Sequence, residues 1–154
     1  MLLFKKVIKK LLKKNITVSV AESCTGGLVS SNIISEAGVS KIFHMGLITY
    51  SNKAKSDLLK INPNKLKKIG SVSNQTAALM AINLQKISKS KLCISSTGIA
   101  GPSGGSKNKH VGLVYVGIKF KKNIIVIERK FKGSRKQIQQ KTVKLIFRSI
   151  DKLI

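Results

Sequence analysis

Ser23 and Cys24 are the side chains of this sequence best placed to act as nucleophiles. They stand in the run Thr17-Val18-Ser19-Val20-Ala21-Glu22-Ser23-Cys24-Thr25-Gly26-Gly27-Leu28-Val29-Ser30. Its first half is β-branched and alternating, Thr25-Gly26-Gly27 breaks the pattern, and small apolar residues suited to a helix follow. That predicts a strand, a tight turn and a helix start, with both nucleophiles in the turn. A nucleophile at such a junction stands clear of the sheet. The N–H groups of the new helix can hold an anion or a developing oxyanion. The junction is read as half of an active site.

A serine needs a base. His44 and His110 are the only histidines, and Asp57, Asp151 and three Glu are the only acids. A Ser-His-Asp arrangement is poorly served by that set, and both histidines read as surface residues. A neutral lysine is the alternative, since burial and neighbouring cations lower its pKa. The residues alone do not choose among so many lysines. Cys24 is a rival nucleophile at the same helix start, whereas Cys93 lies inside a strand pattern and reads as core. Glu22 precedes the turn and is expected to tie it down by hydrogen bonds. Histidine and cysteine spacing offers no zinc site, and no metal or cofactor is expected.

A second glycine-rich stretch, Thr97-Gly98-Ile99-Ala100-Gly101-Pro102-Ser103-Gly104-Gly105-Ser106, follows the strand pattern Leu92-Cys93-Ile94-Ser95-Ser96. In an open α/β sheet ligands sit at the carboxyl ends of strands. Both turns therefore face one crevice if their strands are parallel neighbours. Tyr50 and Ser51 close a third strand pattern and can join them. Neither turn is a P-loop or a Rossmann fingerprint.

The elements that must position these residues read clearly. Residues 1–15 form an amphipathic helix with apolar positions 3, 4, 7, 8, 11 and 12 on one face. A strand over 16–21 follows, then a helix from about Gly27 to Ser35, and a strand at Gly46–Tyr50. Ser51 or Asn52 caps a short helix through Lys60, and Asn62-Pro63-Asn64 opens another, closed by Gly70. Ser73 caps a helix whose buried face is Ala77, Met80, Ala81, Leu84 and Ile87. Val111–Phe120 and Ile124–Phe131 form a hairpin. Gly133-Ser134 starts a last helix with Ile138, Thr142, Leu145, Ile146, Ile150 and Leu153 on one face. The order predicts one α/β domain over residues 1–154. It is a three-layer α/β/α sandwich with a mixed central sheet that includes a C-terminal hairpin.

Composition bounds the function. The chain has 154 residues, with 30 Lys and Arg against 5 Asp and Glu, a net charge of +25. Such a field attracts phosphate polymers, anionic lipid or a small anionic substrate. The charge is mostly Lys spread along the chain, and aromatics are 5 % of residues. Readers of bases add Arg and stacking aromatics, so nucleic acid is not expected as the main partner and a small anion is. No apolar run reaches transmembrane length, and the first helix lacks a signal-peptide core and cleavage site. Two cysteines make no disulfide framework, so a cytoplasmic setting without membrane attachment is expected.

Five motifs in order carry a resemblance. Ala21-Glu22-Ser23-Cys24-Thr25-Gly26-Gly27, Gly46-Leu47-Ile48-Thr49-Tyr50-Ser51-Asn52-Lys53-Ala54-Lys55 and Gly70-Ser71-Val72-Ser73 come first. Thr97–Gly105 and Val111-Gly112-Leu113-Val114-Tyr115 complete the set. Together they resemble the CinA C-terminal domain family, and the length is similar to its stand-alone amidase members. The resemblance implies an amidohydrolase converting nicotinamide mononucleotide and water to nicotinate mononucleotide and ammonia, in pyridine nucleotide salvage. It implies Ser23 as nucleophile, Lys55 as its base and Tyr50 as an aid to proton transfer or orientation. Thr97, Gly98, Ala100, Gly101, Gly104, Gly105 and Ser106 would cradle the substrate, and Arg135 would be available for its phosphate. The Thr25, Gly26 and Gly27 amides would meet an oxyanion or phosphate. It also implies a homodimer. The sequence departs from the family at His110, where proline is common, and at Gly133-Ser134-Arg135, where Gly-Asp-Arg is common. The alternative function is a non-catalytic basic module binding nucleic acid in a competence or DNA-damage setting.

Overall fold

The computed structural model describes residues 2–154. At the centre lie five strands: β1 (Val18–Glu22), β2 (Phe43–Ile48), β3 (Leu92–Gly98), β4 (Leu113–Phe120) and β5 (Asn123–Lys130). Their order across the sheet is β2-β1-β3-β4-β5. The first three are mutually parallel, and β4 and β5 run antiparallel. β1 and β3 are adjacent with Ala21 opposite Ser95. The chain leaves β1 for β2 on one side and reaches β3 on the other, so the crevice for a ligand opens at the carboxyl ends of β1 and β3.

Six helices cover both faces. One face carries α1 (Leu2–Lys13), α2 (Leu28–Ile34) and α6 (Arg135–Leu153). Val18, Val20, Leu92, Ile94, Val116 and Ile118 project from the strands to meet Val7, Ile8 and Leu11 of α1 and Ile146, Phe147 and Ile150 of α6. The expected face of α6 is buried at Ile138, Thr142, Ile146 and Ile150, and it widens to include Val143 and Phe147.

The other face carries α3 (Asn52–Leu59), α4 (Pro63–Ile69) and α5 (Asn74–Ser88). Here the strands offer small side chains, Ser19, Ala21, Cys93 and Ser95, all buried. Their size lets α5 approach closely, and Ser95 Oγ donates to the Ala77 carbonyl at 2.6 Å. Gly117 completes the contact, since a Cβ there would run into the Ala77 carbonyl and Ser95 Oγ. Alternation along doubly covered strands therefore divides large from small residues, not apolar from polar.

The caps follow the sequence. Ser51 accepts from the Ala54 amide, Asn62 from those of Asn64 and Lys65, and Ser73 from that of Thr76. Ser134 and Gln137 form a reciprocal capping box on α6.

Several boundaries differ from expectation. β2 starts at Phe43 and ends at Ile48, so Tyr50 lies beyond the strand and His44 within it. β2 is an edge strand with alternating half-buried and exposed residues, and pairing with β1 extends it past the apolar run. β3 runs on to Gly98 because β4 pairs with it there. β4 begins at Leu113 and β5 spans Asn123–Lys130. Ile87 is 40 % exposed and falls outside the buried face of α5, which is Thr76, Ala77, Met80, Ala81 and Leu84. Among the described residues, no helix is long and apolar enough to cross a membrane.

Candidate active site

Ser23 follows β1 directly. Its amide donates to the Ser96 carbonyl of β3 at 2.9 Å, which extends sheet pairing one residue past the strand. Gly26 and Gly27 then take positive φ, 54° and 99°, and turn the chain into α2. Glu22 holds this turn from beneath. Its carboxylate is wholly buried. One oxygen accepts from Thr25 Oγ1 at 2.6 Å and from the Gly27 and Val29 amides at 3.1 and 3.0 Å. The other accepts from the Ser30 amide and Oγ at 2.8 and 2.7 Å. The expected tie is thus an internal anion seated at the start of α2.

That finding corrects one assignment. The Gly27 amide is bound to Glu22, and the Gly26 amide donates to the Ser23 carbonyl at 3.1 Å. Thr25 is buried, with Oγ1 between Glu22 and Ser96 Oγ, 2.7 Å from the latter. None of Thr25, Gly26 and Gly27 lines the cleft. The chain's own carboxylate already occupies the anion position offered there.

Lys55 arrives from α3, the helix that follows the neighbouring strand β2. Thr49, just after β2, hydrogen-bonds its amide to the Glu22 carbonyl at 2.8 Å, so the end of β2 is locked beside Ser23. Ser51 then caps α3 and directs Lys55 inward. Lys55 is 1 % exposed, its Nζ 3.2 Å from Ser23 Oγ and 3.0 Å from the Thr49 carbonyl. Among the described residues it makes no salt bridge. Burial lowers its pKa from the usual 10.5, which favours the neutral amine a base requires. Burial acts oppositely on Cys24, raising its thiol to about 12. Cys24 lines the cleft beside Ser23 and is packed with Ala100, Val114 and Ile138, and burial disfavours the thiolate that a cysteine nucleophile needs. Cys93 is buried within β3, its thiol raised to about 11 by the same cause.

The far wall comes from the loop after β3 and from α6. Thr97 Oγ1 donates to the Ser71 carbonyl at 2.6 Å. Arg135, the first residue of α6, donates to the Gly101 carbonyl and to Tyr50 Oη, both at 2.8 Å. Tyr50 is 61 % exposed at the rim and is tied to Arg135. The open cleft has a volume of about 430 Å³, within the range of small-molecule sites. It brings together Ser23, Lys55, Tyr50, Thr97, Gly98, Ala100, Gly101, Gly104 and Arg135. Gly105 and Ser106 lie outside its lining, because Ser106 exchanges hydrogen bonds with Lys109 to shape the outer loop.

Asn52, Ser71 and Val72 line the cleft and were not among the sequence candidates. All three lie in the motif stretches, but nothing in their spacing marks them as lining residues. His44 and His110 are both exposed, and His44 Nδ1 lies 3.2 Å from Ser90 Oγ. Among the described residues, no three His, Cys, Asp or Glu side chains are grouped to hold a metal.

The sequence model of the CinA C-terminal domain matches residues 2–154. The chain belongs to the CinA C-terminal domain family. A competence-damage inducible protein of Clostridium novyi is 48 % identical over 135 residues, 88 % of this chain and 33 % of that protein. A relative of the same description from Caldicellulosiruptor bescii is 46 % identical over 148 residues, 96 % of this chain and 36 % of its own. The chain thus spans about a third of these curated relatives. The competence/damage inducible protein CihA from Agrobacterium tumefaciens has a similar crystal structure, with TM-score 0.93 and 37 % identity. It covers 98 % of this CinA-family chain and 93 % of its own. A CinA superfamily protein from Escherichia coli shares the fold at TM-score 0.93 with 24 % identity, covering 99 % of this chain and 88 % of its own.

Proposed function

We propose that this chain is an amidohydrolase that deamidates nicotinamide mononucleotide to nicotinate mononucleotide and ammonia, with Ser23 as nucleophile and Lys55 as base. One observation carries the reading. A fully buried lysine without a carboxylate partner lies 3.2 Å from the hydroxyl of a serine in a strand-to-helix turn. A buried amine unpaired by an acid is costly to keep, and activating a hydroxyl is a use that accounts for it.

In the proposed cycle Lys55 Nζ takes the proton of Ser23 Oγ as the oxygen attacks the carboxamide carbon. The amide of Cys24, next after the nucleophile, has no hydrogen-bond partner among the described residues and is the donor assigned to the oxyanion. Lys55 returns its proton to the departing nitrogen, and ammonia leaves. Lys55 then takes a proton from water as the hydroxide adds to the ester and returns it to the departing Ser23 Oγ; the acid product loses its own proton to solvent, leaving Lys55 neutral and Ser23 free. Arg135 supplies the positive charge for the nucleotide phosphate, and Tyr50 holds that guanidinium in place.

The test is ammonia release and nicotinate mononucleotide formation by the purified protein. Ser23→Ala and Lys55→Ala are each expected to lower kcat by about 10³-fold or more, and Cys24→Ala to stay within about tenfold of wild type. Activity that survives in both dyad variants would refute the assignment. Turnover of free nicotinamide but not its nucleotide would refute the role of Arg135.

A further inference from the structure

Apart from the cleft, with which it shares no lining residue, a groove runs between the end of β5 and α6. Arg129 forms one bank, and Lys141, Lys144, Arg148 and Lys152 form the other. All five are exposed, and none takes part in a salt bridge among the described residues. The five acids of the chain stand elsewhere. Glu22 is buried beneath Ser23, Glu36 follows α2, and Asp57 is paired with Lys53. Glu128 stands opposite Tyr115 in the β4–β5 ladder, and alternation turns it away from Arg129. Asp151, although on α6, is bound by Lys6 and Lys10 of α1. No carboxylate lines the groove.

We infer that this groove binds single-stranded nucleic acid through its phosphates, as a site separate from the amidase cleft. The cations form a line. Steps of three, four and four residues along α6 place them about 4.5–6 Å apart and spread them over about 17 Å. A single phosphate needs convergent donors, whereas a line of cations tracks a strand. Phe131 packs against Cys24, Ala100, Val114 and Ile138, and the half of it left accessible lines the groove, where a base can meet it. A membrane surface fits less well, since none of the large exposed apolar side chains of the protein lies in the groove. The excess positive field favours encounter with any such strand.

The experiment uses the intact protein and labelled oligothymidylate and oligouridylate of about 20 nucleotides, followed by fluorescence anisotropy. With five phosphate contacts the affinity should fall about 100-fold between about 50 and about 200 mM salt, a logarithmic slope near −3.5. Reversing Arg129, Lys144 and Arg148 to Glu should weaken binding more than about tenfold and reduce the slope by about 2. Reversing exposed Lys65, Lys67 and Lys68 on α4 makes the same change in net charge and should alter affinity by no more than about twofold. Circular dichroism checks that both variants are folded, and amidase turnover of the groove variant should equal wild type. Equal weakening in both variants would show a diffuse field and overturn the site. So would absence of binding at the lower salt, or stronger binding to phosphatidylserine vesicles than to either oligonucleotide.

Discussion

Lys55 shows how one residue's burial couples stability to chemistry. Desolvation places its folded pKa below the unfolded value of 10.5. Between those two values the unfolded chain binds the proton and the folded chain does not, so stability rises with pH across that window. Below the folded pKa the full cost of burying the charge is present. A Lys55→Met variant should therefore be inactive yet more stable at neutral pH, by about 1 kcal/mol or about 2–4 °C in Tm. Because the neutral amine is the working form, kcat/KM should rise with pH and level off below 10.5. A profile still rising above that value would show that burial does not tune this base. Glu22 is the opposite case, a buried acid fully supplied with donors. Glu22→Gln replaces one acceptor oxygen with a donor nitrogen facing N–H and O–H groups. We expect a loss of about 3 kcal/mol or more, read from the urea midpoint, and loss of the Ser23 geometry with it. A midpoint shifted by less than about 1 kcal/mol would mean the turn holds itself.

Among the elements, α5 and β4 make the most size-dependent contact. Gly117 opposes Ser95 across the ladder, and α5 lies directly over both. Gly117→Ala should push α5 away and cost about 1–3 kcal/mol, measured by thermal or urea unfolding. An unchanged midpoint would show that the helix can shift without loss. Sequence reading was strongest where the code is local. Helix starts at Ser51 or Asn52, at Asn62-Pro63-Asn64, at Ser73 and at Ser134 were legible because a cap depends on the next three residues, and the structure chose Ser51 and Asn62. It was weaker at strand ends. β2 reaches back to Phe43 and β3 forward to Gly98 because partner strands pair there, and pairing is not written in either segment.

Over the whole molecule, positive charge is left largely uncompensated. Three salt bridges form among the described residues, two of them sharing Asp151, against a net charge of +25. Self-repulsion should destabilise the folded chain at low ionic strength. Raising salt from about 10 to about 150 mM shortens the Debye length from about 30 to about 8 Å. Tm should rise by about 2–4 °C for each kcal/mol of repulsion relieved. A Tm that falls or stays level would show that the lysines are too well spaced to repel. By itself the sequence determined the order of helices and strands, the turn that bears Ser23 and the glycine-rich loop facing it. Each of these follows from periodicity, caps and backbone freedom within a few residues. Only the tertiary structure decided that Glu22 fills the start of α2 and that the Gly26 and Gly27 amides are spent inside the turn. It also decided that one buried lysine, carried by α3 after the strand beside β1, reaches Ser23 Oγ. Those facts depend on which strands become neighbours, and burial summed over the whole sheet sets that order.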